Sequence, residues 1–481
     1  MAHSRGMEEA LSSAMDEIAR LVGVTHVLRG EAAARWSGDW AGHRRWQPLA
    51  VARPGDTGEV AALVRLANRH RLPLVPVSGN TNLVKGTVAE GALMVSLDRL
   101  SEIREIRPAA RVAAVGAGVV IEALNTALAA HDLMFPLSFG ARGSAMVGGV
   151  LSTNAGGANV LRYGNTRDLC LGIEAVTPTG EVMHLMGALH KNNSGYDLRH
   201  LLIGAEGTLG IITAAMLRLV PRPRAQATAM VALPSLDAAL GLLNRLQDET
   251  GGAVEAFEYM PASFLRALLR QFPEMRPPFD TMHAVNVLVE LGARAPRDVT
   301  PDATGQVPLA AHLEGVLAAL WDEGHVLDAV VAKSEAQRAE MWARREASAH
   351  VLRARSPVVE GDIAVATDRV ATLVARTGAA CRALDPGIEI TGVAHLGDGN
   401  LHFVGWPSRP DAALCAELSR AVETEAVALG GSFSAEHGIG LSKLGAMTAH
   451  KDPVALETMR AIKAALDPNG ILNPGKLLPK G

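Results

Sequence analysis

Residues Pro76–Gly86 read PVSGNTNLVKG, and this stretch decides how the N-terminal half of the chain folds. It follows the apolar run LPLV (Leu72–Val75), which has the composition of a buried strand. Small residues at Ser78 and Gly79 allow another backbone to approach closely. Consecutive amides there can form a nest around a pyrophosphate. Two more glycine-rich stretches follow: RGSAMVGGVLSTNAGG (Arg142–Gly157) and NNSGYDLRHLLIGAEGTLGIIT (Asn192–Thr213). One glycine loop alone is as readily a tight turn as a ligand cradle. Three loops that repeat Ser, Thr and Asn beside their glycines are harder to read as turns only. GAGVVI at Gly116 lacks the third glycine of a dinucleotide fingerprint, so a Rossmann reading is weak.

Working outward, PLAVARPGDTGEVAALVRLANRHRLPLVPVSG predicts strand, helix, strand, with Pro54 to Thr57 supplying the turn and the helix N-cap. ALMVSLDRL, RVAAVGAGV and GIEAVTPTGEVMHL read as strands, and VIEALNTALAAHDL as a helix. LRLVPRPRAQAT marks a boundary at Pro221 and Pro223. Beyond it, strands (ATAMVALPS, AVEAFEYM, GHVLDAVVAK, GIEITGVAHL) alternate with helices such as LDAALGLLNRLQDE, around a Pro/Gly-rich surface loop, GARAPRDVTPDATGQVPLAA. The expected class is α+β. The expected segments are a helical 1–46, a ligand-binding 47–224, a central α+β 225–425 and a C-terminal 426–481.

Composition narrows the function. With 481 residues the chain exceeds one ordinary core, so two or more domains are expected. A net charge of −4 offers no broad basic surface, and aromatics at 4% offer few stacking platforms, so nucleic acid is not an expected partner. No apolar run reaches membrane-spanning length, and the acidic N-terminus lacks a signal core. Cys170, Cys381 and Cys415 share no metal or redox spacing and read as reduced thiols, which favours a cytoplasmic residence.

Near the C-terminus, HLGDGNLHF (His395–Phe403) and SAEHGIG (Ser434–Gly440) gather histidines and an acid. Gly397 to Asn400 are hairpin-turn residues. A four-residue turn flanked by Leu396 and Leu401 sets His395 opposite His402, on one face of the sheet. Directly opposed residues have Cβ atoms about 4.5–5.5 Å apart, which suits two imidazoles on one ion. Among 16 histidines, spacing alone favours packing or hydrogen-bonding roles over ligation.

The order of the three glycine-rich stretches resembles the FAD-binding domain of the vanillyl-alcohol-oxidase (PCMH-type) flavoproteins. LDPNGILNPGKLLP (Leu466–Pro479) looks like the end of their D-2-hydroxyacid dehydrogenase branch, which holds D-lactate dehydrogenases, D-2-hydroxyglutarate dehydrogenase and the FAD subunit of glycolate oxidase. The resemblance runs from about Gln47 to Lys476. It implies a PCMH-type FAD domain, a substrate (cap) domain, and a C-terminal segment that returns to the flavin. Pro76, Ser78, Gly79, Asn80, Thr81 and Asn82 match the pyrophosphate loop. Gly143, Ser144, Gly148, Thr153, Asn154 and Gly156 match the second flavin-contacting stretch; Glu206, Gly210 and Ile211 match the third; Asn473 matches the C-terminal return. Some relatives attach FAD through a histidine where this chain has Asn80, so the implied FAD is non-covalent.

In metal-dependent relatives, His395, His402 and Glu436 match the ligands of a divalent cation, expected as zinc, and His437 matches the catalytic base. Arg345, in MWARREAS, matches an arginine that binds the substrate carboxylate. The implied reaction takes a D-2-hydroxy acid to the 2-oxo acid, with hydride passing to flavin N5 and electrons to a quinone, electron-transfer flavoprotein or cytochrome. A homodimer fits this reading. Glu360 and Val404 stand where dicarboxylate-handling relatives carry Lys and Asn, which favours D-lactate-like or other small or apolar acids. D-2-hydroxyglutarate dehydrogenase and a glycolate oxidase FAD subunit are the alternatives. An alkylglycerone-phosphate-synthase-like adduct chemistry fits the histidine pair less well, and a metallohydrolase on the same three residues would be selected by a colourless, FAD-free protein active with metal.

Overall fold

The computed structural model describes residues 2–480 apart from 41, 43 and 304, with side chains from residue 11 onward. Thr304, in the expected surface loop, and the first side chains of the expected N-terminal helix therefore lie outside the described residues. The chain divides into two compact units. One holds Met1–Gly156, Gly164–Pro221 and Glu436–Gly481; the other holds Gly157–Tyr163 and Arg222–Ala435.

The first unit contains the glycine-rich stretches. The strand–helix–strand reading holds: Ala50–Ala52, Thr57–His70 and Leu74–Val77. Asp56 caps the helix by accepting from the Glu59 amide at 2.8 Å, and Glu59 reaches back to accept from the Gly55 amide at 2.7 Å. This reciprocal pair satisfies one amide that the first helical turn leaves over and one in the turn before it. Val60, Leu63, Val64, Leu66 and Ala67 fall at helical spacing and are fully buried against Ile18 and the strands. The Leu93–Ser96 strand lies parallel between Ala50–Ala52 and Leu74–Val77. A second, antiparallel sheet runs Ile103–Arg107, Val112–Gly116, Ile211–Arg218, Cys170–Val176, Val182–Leu185.

The C-terminal tail packs back into this unit. Leu472 bridges Leu74, the Leu74 amide donates to Ile471 O at 2.7 Å, and the Asn473 amide donates to Leu74 O at 2.7 Å. Lys463 and Asp467 fix the approach. The ammonium donates to Thr208 O and Leu472 O, and Asp467 accepts from the Ile471 and Leu472 amides.

The second unit is built on a seven-stranded antiparallel sheet. Its order is Asp328–Val331, Ala225–Leu233, Val285–Ala293, Val254–Pro261, Glu389–His395, Asn400–Trp406, Val359–Ala364. Alternation sorts its two faces. Ala227, Ala229, Val231, Phe257, Tyr259, Leu401 and Phe403 point into the larger core, under helices Leu236–Thr250, Pro308–Asp322, Val370–Leu384 and Ala412–Ala428. Met230, Ala232, Met260, Val404 and Trp406 point the other way, packed with Phe264, Leu268, Met341 and Val351 from shorter helices. Glu258, Asp362, His395 and His402 share this second face by strand parity. Among the described residues no helix is long and apolar enough to cross a membrane.

Candidate active site

In the first unit the glycine-rich stretches line one cleft. Pro76, Ser78, Gly79, Asn80, Thr81, Asn82, Thr153, Glu206, Gly210, Ile211 and Asn473 all line it. Gly143, Ser144, Gly148, Asn154 and Gly156 do not. A Cβ on Gly79 would lie 2.2 Å from the Ser144 carbonyl oxygen, so the first two stretches meet backbone to backbone. Asn154 ends the Val147–Thr153 helix in the left-handed region (φ 50°) and accepts from the Arg167 amide at 2.9 Å. Val84, Thr87, Met146 and Ser152 also line the cleft; Thr87 lies just past the first stretch, and the other three lie within the stretches without being singled out as contacts.

The first loop builds itself from its side chains. Asn80 donates to Gly38 O at 2.9 Å and accepts from the Thr87 hydroxyl at 2.7 Å. Asn82 donates to Thr87 Oγ1 at 2.7 Å and accepts from the Gly86 amide at 2.8 Å. Asn80 sits at φ 55°, which asparagine tolerates better than most residues. Both amide side chains are thus committed to protein partners, Gly38, Gly86 and Thr87.

Glu206 and Asn473 join the far walls. Glu206 is 8% exposed, and its carboxylate accepts from the Ile439 and Gly440 amides at 2.7 and 2.8 Å. Burial pushes its carboxyl up from the usual range, against the lowering effect of those two amides. The expected flavin contact thus also holds the turn that follows Glu436 and His437. Asn473 donates to Gly86 O at 3.1 Å and Glu206 O at 2.8 Å, while its buried Oδ1 has no hydrogen-bond partner. A buried acceptor on a cleft wall calls for a donor from a ligand. Together with the glycine-rich loops that line the cleft, this fits a flavin dinucleotide.

In the second unit the histidine hairpin has a different register from the one expected. His395 pairs with Asn400, and His402 pairs with Val393. The turn is Leu396–Gly399, because Leu396 leaves the strand line for the core (4% exposed), donating its amide to Phe257 O at 2.9 Å. Gly399 then closes the turn at φ 83°, where a Cβ would meet Val365 O at 2.0 Å. The slip is two positions, so parity survives and both histidines stay on one face. They are diagonal neighbours, with ring centroids 5.2 Å apart and planes at 83°.

A carboxylate backs each imidazole. Glu258 is the strand partner of His395 and lies 2.8 Å from its Nδ1. Asp362 is the strand partner of His402, 3.9 Å from its Nδ1, and is held by Asn400 at 3.1 Å. Both acids are almost fully buried, at 1% and 4% exposed. Burial alone would raise the Glu258 carboxyl, but the charges of His395 and Arg345 outweigh it and hold it below the usual range. An ionised carboxylate only accepts, so Nδ1 of His395 carries the proton and any metal-ligating role falls to Nε2. A carboxylate bonded behind an imidazole, as Glu258 is behind His395, is the outer shell that metal-ligating histidines commonly have, so this donor set fits a divalent cation.

Arg345 is not a solvated helix charge. It is 8% exposed and donates from Nε to Glu258 at 2.6 Å and from Nη1 to Ser348 at 3.1 Å, leaving a buried Nη2 with no partner. Glu360 is exposed and accepts from Arg353 at 2.9 Å, whereas Val404 is 2% exposed in the apolar cluster. Ala435 donates its amide to Asp362 O at 3.1 Å, beside His402, and Glu436 and His437 follow it in the chain. Glu436 Oε1 and His437 Nε2 are 3.8 Å apart. Sequence reading missed Glu258 and Asp362; their one signal is an acid among apolar residues on a strand.

Among solved structures, the chain matches p-cresol methylhydroxylase with substrate bound, at TM-score 0.75 and 15% identity over 98% of this chain and 97% of that one. It also matches 4-ethylphenol oxidase from Gulosibacter chungangensis in its isoeugenol complex, at TM-score 0.72 and 21% identity over 98% of both chains. The fold is thus that of the PCMH-type flavoproteins. The FAD binding domain model matches residues 48–186, and the model for the C-terminal domain of FAD linked oxidases matches residues 222–477. D-2-hydroxyglutarate dehydrogenase of Xanthomonas citri pv. viticola is 37% identical over 91% of each chain. That of Stutzerimonas stutzeri is 34% identical over 96% of this chain and 98% of its own, and the mitochondrial enzyme of Bos taurus 34% over 92% and 79%. The chain belongs to the FAD-linked D-2-hydroxyacid dehydrogenase family.

Proposed function

We propose that this flavoprotein oxidises a D-2-hydroxy acid with a small or apolar C2 substituent to the 2-oxo acid, with the help of a divalent cation, zinc. The observation that carries the reading is the imidazole pair His395–His402 on one sheet face, each ring backed by a buried carboxylate. When bound, FAD supplies the hydride acceptor and the cation a Lewis acid. His395, His402 and Glu436 would hold the cation, Glu436 following the anchored Ala435 in the chain. His437 takes the hydroxyl proton as general base. The Nη2 of Arg345 meets the substrate's carboxylate, for which a guanidinium fork is well suited.

The side-chain preference rests on Val404 and Glu360. A valine buried in an apolar cluster and a carboxylate occupied by Arg353 give a second substrate carboxylate no partner. D-2-hydroxyglutarate is the second reading, favoured by the names of the relatives. Electrons then leave to a quinone, electron-transfer flavoprotein or cytochrome. A cytoplasmic residence belongs to the same reading, supported by three free thiols, Cys170, Cys381 and Cys415.

The test is anaerobic flavin bleaching by D- and L-2-hydroxy acids, with and without chelator. D-lactate and longer apolar D-acids should bleach faster than D-2-hydroxyglutarate, and thorough chelation should slow all of them. Bleaching only by L-acids would remove the family stereochemistry. Bleaching unchanged by chelation would remove the metal. A preference for D-2-hydroxyglutarate would select the second reading.

A further inference from the structure

Glu258 lies on the strand beside the hairpin, and nothing in the sequence motifs marks it. It is 1% exposed, and each of its carboxylate oxygens has a separate partner. Oε1 lies 2.8 Å from His395 Nδ1, and Oε2 accepts from Arg345 Nε at 2.6 Å. The two partners arrive from different elements: His395 from the adjacent strand, by register, and Arg345 from the end of the Glu335–Glu346 helix. The guanidinium is gripped at Nε by Glu258 and at Nη1 by Ser348, which fixes the direction of the unpartnered, buried Nη2.

We propose that Glu258 is a positioning residue that couples cation binding to carboxylate recognition, one oxygen fixing the tautomer and plane of His395, the other aiming Arg345. This rests on the proposed function and goes beyond it, because it makes the two binding events depend on one shared group. The chemistry requires an ionised, bidentate acceptor. A carboxamide at this place keeps one acceptor but turns an NH2 toward either a protonated imidazole nitrogen or a guanidinium N–H, so one of the two partners must let go. An aspartate keeps both acceptor oxygens on a shorter arm.

The experiment uses the FAD-loaded protein and reads two equilibria besides turnover. Zinc affinity is measured by competition with a chelator of known strength, and 2-oxo acid binding by the perturbation of the oxidised flavin spectrum. Glu258→Gln should retain FAD, lose about 10–100-fold in zinc affinity, as outer-shell changes at metal sites do, and bind the 2-oxo acid more weakly. Glu258→Asp should recover part of both. Arg345→Lys alone should weaken 2-oxo acid binding, and combined with Glu258→Gln it should add less than the sum of the singles. Glu255→Gln is the control for a merely structural effect. Glu255 is 2% exposed on the same strand, bound to Arg162 and Tyr163, and its variant should leave both equilibria unchanged.

If the parent protein binds zinc and Glu258→Gln matches it in both equilibria, the coupling is overturned while the proposed function stands. If the parent binds no zinc, the metal part of that function falls and takes the coupling with it. If Glu255→Gln loses zinc as strongly as Glu258→Gln, Glu258 acts through sheet stability alone and the proposal falls.

Discussion

The cleft of the first unit and the histidine face of the second are built by opposite means. The cleft wall is built on glycine-rich loops. Glycine and left-handed asparagine let chains approach, side chains such as Asn80 and Asn82 turn inward to brace their own loop, and Glu206 spends its charge on two amides. The histidine face is a sheet on which ionisable side chains are set by register, and the buried Glu258 carboxylate is answered by the Arg345 guanidinium. The difference teaches where each region is fragile. The cleft should fail through volume and backbone displacement. The face should fail through an uncompensated charge.

The largest effect follows from breaking that charge balance. Glu258→Ala leaves Arg345, 8% exposed, without its buried counterion. Breaking a buried pair by removing one partner costs about 3–5 kcal/mol. Urea unfolding of the FAD-loaded protein, followed by tryptophan fluorescence, should show a loss of this size, with Trp342 and Trp406 reporting from the same apolar cluster. A loss under about 1 kcal/mol would mean that water reaches this carboxylate and that the face is not a dry, charge-matched surface.

Next comes the volume test on the cleft. Gly79→Ala puts a methyl 2.2 Å from the Ser144 carbonyl oxygen, which is backbone and cannot swing aside. Overpacking costs about 1–3 kcal/mol, and a backbone clash belongs at the upper end. The protein should purify largely without flavin. Full flavin content in this variant would show that the two glycine-rich stretches move independently.

How much of this was legible in the sequence differs between the two regions for the same physical reason. The flavin loops were readable because glycine, proline and asparagine impose local geometry, and local geometry is written in consecutive residues. Their exact roles were less readable: Ser144 and Gly143 do not line the cleft, and Asn80 bonds within its own loop to Thr87. On the histidine face, alternation fixed parity and therefore which residues share a side, but not register. His395 came to rest opposite Asn400 because Leu396 took a place in the core, a tertiary cause with no local signature. Glu258 and Asp362 were invisible for a related reason. They lie 137 and 40 residues from the histidines they support, and only sheet order brings them there. Arg345 was found by resemblance, but its shared grip on Glu258 was not.

A smaller effect is expected at Glu206, where the partners are neutral amides. Glu206→Gln keeps one acceptor and turns an NH2 toward the other amide, so one buried N–H on Ile439 or Gly440 goes unsatisfied, at about 1–3 kcal/mol. Because this turn follows His437 directly, flavin reduction by substrate should slow more than FAD affinity falls. Loss of FAD with a normal reduction rate in the remaining holoenzyme would instead make Glu206 a flavin contact and nothing more.

The smallest effect sharpens the claim that the first loop's side chains are scaffolding. Thr87 lines the cleft, yet its hydroxyl already accepts from Asn82 and donates to Asn80, each at 2.7 Å. Thr87→Val keeps the shape and deletes that hydroxyl bridge. A typical intramolecular hydrogen bond contributes about 0.5–1.5 kcal/mol net, so the loop should loosen while the amides of Ser78 and Gly79 remain in place. FAD affinity, measured by flavin fluorescence on titration into apoprotein, should fall by less than about tenfold, a change of about 1.4 kcal/mol. The flavin should remain fully releasable by denaturant, since the Asn80 amide can form no covalent bond to it. A fall of several hundredfold would show that the Thr87 hydroxyl touches the cofactor, and the first loop would then share the side-chain logic of the histidine face.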